Sequence, residues 1–140
     1  MNLAVLRVEG KGDVLKGLLD MLHSKPDAEW QAGELKRRGG KYEKSGFSLT
    51  VADAPTPHEM VIAVRRFLTE CNALGIFFPK QGLTAELSVG LTVGDSVQFV
   101  ASIDWTSDDL AMMSNLGLGF SVTAYPTSDE ANSPQQPATG

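Results

Sequence analysis

The chain is short of cysteine, histidine and long hydrophobic runs, and each shortage excludes a class of protein. Its 140 residues include one cysteine and two histidines, so an internal disulfide is excluded and no zinc-binding spacing is present. No apolar run approaches the ~20 residues that cross a bilayer, and the N-terminus lacks the regions of a secretory signal. We therefore expect a cytoplasmic protein that binds no metal or cofactor and does not enter a membrane.

Positive charge is missing from most of the second half of the chain. Residues 1–50 carry nine Lys or Arg against seven Asp or Glu, a net of +2, whereas residues 51–140 carry three against ten, a net of −7. No Lys or Arg follows Lys80. An acidic half discourages binding to nucleic acid and anionic membranes and attracts basic proteins. We expect a basic protein partner, with solubility as the alternative reason for the charge.

The positive charge of the first half is concentrated around Gly39-Gly40. Basic residues that alternate with an aromatic residue can bind nucleic acid, and the residues here are Lys36, Arg37, Arg38, Lys41 and Lys44, with Tyr42 among them. Glu34 and Glu43 lie beside them, and the pI of the chain is about 4.9, which opposes binding to phosphate. The segment is therefore interpreted as a solvated hairpin, and no nucleic-acid partner is expected.

Hydrophobic periodicity predicts an α+β fold. Alternating or short apolar runs predict strands at 3–8, 47–51, 83–93, 97–103 and 118–124, besides the 36–43 hairpin, and helical spacing predicts helices at 13–22, 57–74 and 106–116. Such strands need cover on one face only. Residues 1–125 are thus expected to form one domain, with an antiparallel or mixed sheet of five to six strands and about three helices mainly on one face. The polar, Pro-rich residues 126–140 are predicted to be a disordered tail.

Turn and capping residues set the expected element boundaries. Asp13 is predicted to cap the first helix, and the Thr-x-x-Glu pattern with a following proline predicts a capping box at Thr56. Gly94-Asp95 is expected to turn the strand 83–93 back into the strand 97–103. Cys71 lies on the apolar side of the second predicted helix, which favours a buried structural thiol over a nucleophile.

Two places carry candidate binding residues. Asp104, Asp108 and Asp109 surround Trp105, and such a cluster can bind a cationic partner with the aromatic residue as its anchor. Helix capping is the alternative explanation, because Asp108 and Asp109 fall in the first turn of a predicted helix. The second place is Trp30, which is interpreted as an exposed aromatic ledge.

The segment SKPDAEWQAGELKRRGGKYEKSGFSL resembles the bacterial domain-of-unknown-function 4279 family. Members carry a Pro-Asp-x-x-Trp-x-x-Gly-Glu-like segment and a strand that ends near an aromatic residue. The matching positions are Pro26, Asp27, Trp30, Gly33, Glu34 and Phe47, where tryptophan is frequent at the last of these. The likeness extends over about residues 3–126, through a later helix that ends Leu-Gly-Leu and a strand that ends Val-Thr-Ala-Tyr-Pro. It implies no catalytic residues and a similarity to the antitoxin partners of bacterial toxins.

These observations lead to two hypotheses of function. The first is a non-enzymatic immunity protein that binds and neutralises a basic bacterial toxin, with Asp104, Trp105, Asp108, Asp109 and Trp30 as contact residues. The second is a small-molecule sensor, or an enzyme of unknown reaction, that uses a groove beside Trp30. The sequence shows no nucleophile or acid–base pair near Trp30, which favours the first hypothesis.

Overall fold

A mixed five-stranded sheet with three α-helices makes up the part of the chain that the computed structural model describes, residues 1–94 and 96–127. The elements in order are β1 (Asn2–Gly10), α1 (Gly12–Leu22), β2 (Ala28–Trp30), β3 (Ser45–Ala54), α2 (Pro57–Ala73), a 3₁₀ turn (Phe78–Gln81), β4 (Thr84–Val93), α3 (Ser107–Leu116) and β5 (Leu118–Pro126). This confirms the predicted α+β class. The predicted tail falls outside the described residues from residue 128 onward, and Pro126 ends β5.

The sheet has the order β2-β3-β1-β4-β5, with β1 at its centre. All neighbouring strands are antiparallel except β4 and β5, which run parallel and are joined through α3. A parallel pair needs a long crossover rather than a tight turn. In this strand order β2 lies at one edge of the sheet and β5 at the other.

The core lies between one face of the sheet and the helices. Leu6 of β1 is opposite Leu49 of β3 and Leu87 of β4, and all three are buried. Buried side chains of the three helices join them in one cluster, namely Leu15, Leu18, Met60, Val64, Leu68, Cys71, Met113 and Leu116. Each fully buried Leu stabilises the fold by about 1.5–3 kcal/mol. On the opposite face Arg7, Thr50 and Glu86 are exposed.

A β-bulge alters the expected alternation in β3. Ala4 is paired with Ala52, whereas Val5 is paired with Thr50, so Val51 is an extra residue in β3. An extra residue shifts every later side chain to the other face of the strand. Ala52 is consequently buried in the core, and Val51, the last residue of the predicted strand 47–51, is only half-buried.

The predicted cap of α2 forms, whereas the predicted cap of α1 does not. Thr56 caps α2 by accepting a hydrogen bond from the Glu59 N–H at 3.2 Å, although the Glu59 carboxylate accepts from the Thr56 hydroxyl rather than from its backbone N–H. Thr106 caps α3. The prediction for α1 is wrong, because the helix starts at Gly12 after Lys11, which makes no side-chain cap, and Asp13 lies in the first turn.

The predicted strand 97–103 does not form. The described residues 96–106 contain no strand, because the edge of β4 that an antiparallel return would use is occupied by β5 in parallel. Asp95, half of the predicted turn, lies outside the described residues. The 36–43 hairpin is also reduced: Gly39 and Gly40 have the predicted positive φ angles, but the pairing consists of one bridge, between Leu35 and Lys41.

Candidate functional site

The acidic cluster lies at the N-terminus of α3, where one of its carboxylates closes a capping box. The Thr106 hydroxyl accepts a hydrogen bond from the Asp109 N–H at 3.1 Å, and the Asp109 carboxylate accepts one from the Thr106 N–H at 2.9 Å. Two of the backbone donors left unpaired at a helix start are thereby satisfied. For Asp109, capping is the observed role.

Arg65 of α2 completes the surroundings of Asp109. Its Nε and one terminal nitrogen donate to the two carboxylate oxygens at 2.7 and 2.8 Å. These bonds lower the pKa of Asp109 to about 2, against the opposite effect of burial. The Asp109 side chain is only 1% exposed. Asp109 is therefore an internal link between α2 and α3. Because it is buried, it is not accessible to a partner, which corrects its prediction as a contact residue.

Asp104, Trp105 and Asp108 form the exposed part of the cluster, which we term the acidic-aromatic surface. Asp104 and Asp108 are exposed, whereas Trp105 is half-buried and contacts Phe120 of β5 edge to face, with 5.6 Å between ring centroids. Other exposed hydrophobic side chains flank these residues along the chain, namely Phe99, Val100 and Leu110. The surface thus combines two exposed carboxylates with apolar groups.

A small pocket adjoins Asp104. Its volume is about 260 Å³, and its lining residues are His58, Val61, Arg65, Ser102, Asp104 and Thr106. The Arg65 charge in this pocket is already neutralised by Asp109. Asp104 forms no ion pair within the described residues and therefore adds a negative charge to the pocket. A cationic side chain is the group that such a pocket can accept.

Trp30 is not an exposed ledge but a buried anchor, with 7% of its surface exposed. Its indole lies against Gly46, where an added Cβ would come within 2.4 Å of the ring. The Arg7 guanidinium lies 4.6 Å from the indole centroid, and the Tyr42 ring stacks on it at 5.2 Å. Lys36 in turn lies 5.4 Å from the Tyr42 centroid. Trp30 thereby ties the basic 36–44 segment to the sheet.

A pocket of about 240 Å³ does lie beside Trp30, between α1 and the β2 edge of the sheet. Its polar lining comes from Lys16, Glu29, Gln31 and Ser45. The Ser45 hydroxyl is already engaged, because it accepts from the Ala32 N–H at 3.0 Å and donates to Gln31 at 3.3 Å. Two of the polar groups therefore serve the local fold, which leaves Lys16 and Glu29 as the ionic groups that could meet a ligand.

Cys71 lies in the core and is fully buried, as predicted. Burial, with a smaller contribution from Glu70, raises the pKa of its thiol to about 12. The reactive thiolate form is therefore disfavoured at neutral pH. Across residues 1–94 and 96–127, no three His, Cys, Asp or Glu side chains are grouped closely enough to hold a metal ion.

Comparison with known proteins identifies no relative of the chain. No family model, no curated protein and no solved structure matches the chain. The resemblance to the domain-of-unknown-function 4279 family therefore stays a prediction. In the described part of the chain, every helix is too short or too polar to span a membrane.

Proposed function

We propose that this protein is a non-enzymatic binding domain that holds a basic protein at its acidic-aromatic surface. The observation that carries the proposal is the pair of exposed carboxylates, Asp104 and Asp108, on either side of the half-buried Trp105. A bacterial toxin domain that this chain neutralises is the partner class that fits the predicted family resemblance. The role is that of an immunity protein.

The charge of this surface favours a cationic partner. Asp109 is neutralised by Arg65, whereas Asp104 and Asp108 form no ion pair within the described residues. No Lys or Arg follows Lys80 in the sequence, so residues 81–140, which include Asp104 and Asp108, carry negative side-chain charge only. Complementary charge speeds the encounter and discourages wrong partners more than it raises affinity. Asp104 and Asp108 thus select the partner and orient it.

The apolar side chains supply the other half of an interface. Interfaces combine aromatic anchors near their centre with a polar rim, and about 800 Å² per partner is typical. Trp105 is held in place by Phe120, so little side-chain entropy is lost when a partner covers it. Phe99, Val100 and Leu110 extend the apolar area along the chain. A cytoplasmic location accords with this role and with the single reduced cysteine.

Changing Asp104 and Asp108 together to Ser is expected to abolish recovery of the basic partner when the tagged protein is used as bait in extracts of its source cell. Both carboxylates are exposed, so folding, followed by circular dichroism, should be unaffected. The matched control changes Asp20 and Asp53 to Ser, which removes two exposed charges from other elements. Undiminished recovery with the Asp104 and Asp108 variant, or equal loss with the control, would reject this contact surface.

The pocket beside Trp30 keeps a small-molecule role open as a second candidate. Its volume of about 240 Å³ lies below the roughly 300–1,000 Å³ of most ligand sites, so only a small polar ligand fits. A ligand at 100 times its dissociation constant adds about 2.7 kcal/mol to stability. We expect no such thermal shift with a panel of common polar metabolites; a shift that Glu29→Gln removes would favour the sensor instead.

A further inference from the structure

The β5 edge of the sheet is long and uncharged, unlike the edge at β2. Within the described residues, β5 pairs with β4 along one side only, and its nine residues, LGFSVTAYP, include no charged side chain. The other edge strand, β2, has three residues, one of which is Glu29. Natural proteins protect long edge strands with charges, prolines or bulges. Before Pro126, β5 has none of these.

The apolar side chains of β5 extend the core face but are only partly covered, by contacts such as that of Trp105 with Phe120. Phe120 and Val122 are in register with Leu87 and Val89 of β4, which are buried, yet they remain 39% and 48% exposed. Leu118 of β5 still packs against the core, but the cover of the core face is incomplete over Phe120 and Val122. An added strand beyond β5 would cover these side chains and pair the open backbone edge.

We propose that the occupant of this edge is the β5 strand of a second copy, paired antiparallel about a two-fold axis at Val122. In that register Val122 faces its own counterpart, Phe120 faces the small Ala124, and Ser121 faces Thr123. On the opposite face Tyr125 meets Gly119, so each of the two aromatic residues of β5 lies opposite a small residue. Such cross-strand pairs are the unit of sheet stability, and a closed two-fold dimer is the commonest oligomer.

Charge and sequence favour a second copy over the other occupants. Two molecules with a net charge of −5 each can approach at a strand that carries no charge. The sequence beyond Thr127 does not favour a strand as the occupant, because Pro134 and Pro137 have no N–H to donate. A basic partner would find its carboxylates on the acidic-aromatic surface rather than on β5. The dimer would present two such surfaces, but it does not depend on the proposed function.

Sedimentation equilibrium of the full chain tests the dimer without any partner. We expect a mass of about 30 kDa, twice the 15.0 kDa of the chain. Association should strengthen with salt, because screening reduces repulsion between two acidic copies, whereas binding of a basic protein should weaken. Val122→Lys should give a folded monomer, and the matched Ala28→Lys, on the β2 edge, should remain dimeric. A monomer at all concentrations, or a dimer that Val122→Lys leaves intact, overturns the proposal.

Cysteine crosslinking tests the register. Val122→Cys should form an intermolecular disulfide on mild oxidation, because residues that face each other across antiparallel strands have Cα atoms about 4.5–5.5 Å apart, within disulfide range. In Ala124→Cys the two thiols should lie about 13 Å apart along the strands and should not react. Cys71 is buried and does not interfere. Crosslinking through position 124 instead of 122 contradicts the proposed pairing. So does a monomer in which the β5 amides are protected from exchange, because that would indicate that the chain's own C-terminal segment covers the strand.

Discussion

Trp30→Ala is expected to lower the free energy of unfolding by about 3–5 kcal/mol, the usual cost of removing a buried large aromatic side chain. The indole is 7% exposed and packs against Gly46, Arg7 and Tyr42. Its loss removes the buried area, the stacking contact and the cation–π contact together, the last two contributing about 0.5–1.5 kcal/mol each. Urea unfolding followed by circular dichroism measures the change.

Two further substitutions test whether Trp30 is buried, as the structure shows, or exposed, as the sequence predicts. Gly46→Ala should also destabilise the fold, by about 1–3 kcal/mol, because the new Cβ would lie 2.4 Å from the indole and 2.7 Å from the Val8 carbonyl oxygen. Glu29→Ala, at the exposed neighbouring position, should change stability by less than about 0.5 kcal/mol. A Trp30→Ala protein as stable as the parent would show that the indole is not packed as described.

Asp109→Asn is expected to destabilise the protein by about 1.5–3 kcal/mol, the range for hydrogen bonds to charged groups. The change weakens both Arg65 hydrogen bonds and the cap on Thr106. Because Arg65 is 40% exposed, solvent screens its charge, and the loss should stay below the 3–5 kcal/mol of a fully buried pair. Asp108→Asn, one residue away and exposed, should cost less than about 1 kcal/mol.

The same pair predicts a pH dependence of stability. The pKa of Asp109 is lowered in the folded protein, from 3.8 to about 2, so its ionised form stabilises the fold at pH values above 3.8. This contribution is lost as the pH falls from about 5 towards 2, because the unfolded chain takes up the proton first. The difference in unfolding free energy between the parent and Asp109→Asn should therefore shrink over that window. A constant difference would mean that the Asp109 charge does not stabilise the fold.

Local signals in the sequence were enough to predict most of the elements. The prolines, glycines and threonine caps of α2 and α3 act on their own neighbours, and the alternation in β4 is unbroken over ten residues. The prediction of a return strand at 97–103 was wrong because β5, more than ten residues further along the chain, pairs with β4 instead. Alternation predicts that a strand forms, but not which neighbour it pairs with. The bulge at Val51 is likewise a property of the β1–β3 pairing.

In the candidate site too, local features could be predicted from the sequence, whereas contacts between distant residues could not. The acidic cluster could be located from its residues alone, but Asp109 could not be separated from Asp104 and Asp108, because its partner Arg65 lies 44 residues earlier. Trp30 was misjudged for a similar reason. The residues that bury it come from β1, β3 and the 36–44 segment, and the one sequence signal was Gly46, whose missing side chain makes room for the indole.

Affinity for the purified partner, measured by calorimetry at low and high salt, tests the proposed binding surface most directly. For the protein with both Asp104 and Asp108 changed to Ser, we expect affinity to fall at least about tenfold, or 1.4 kcal/mol. Its salt dependence should also be weaker than that of the parent. The Asp20 and Asp53 control should bind as the parent does. Equal affinity and equal salt dependence in the parent and the Asp104 and Asp108 variant would contradict the assignment of this surface.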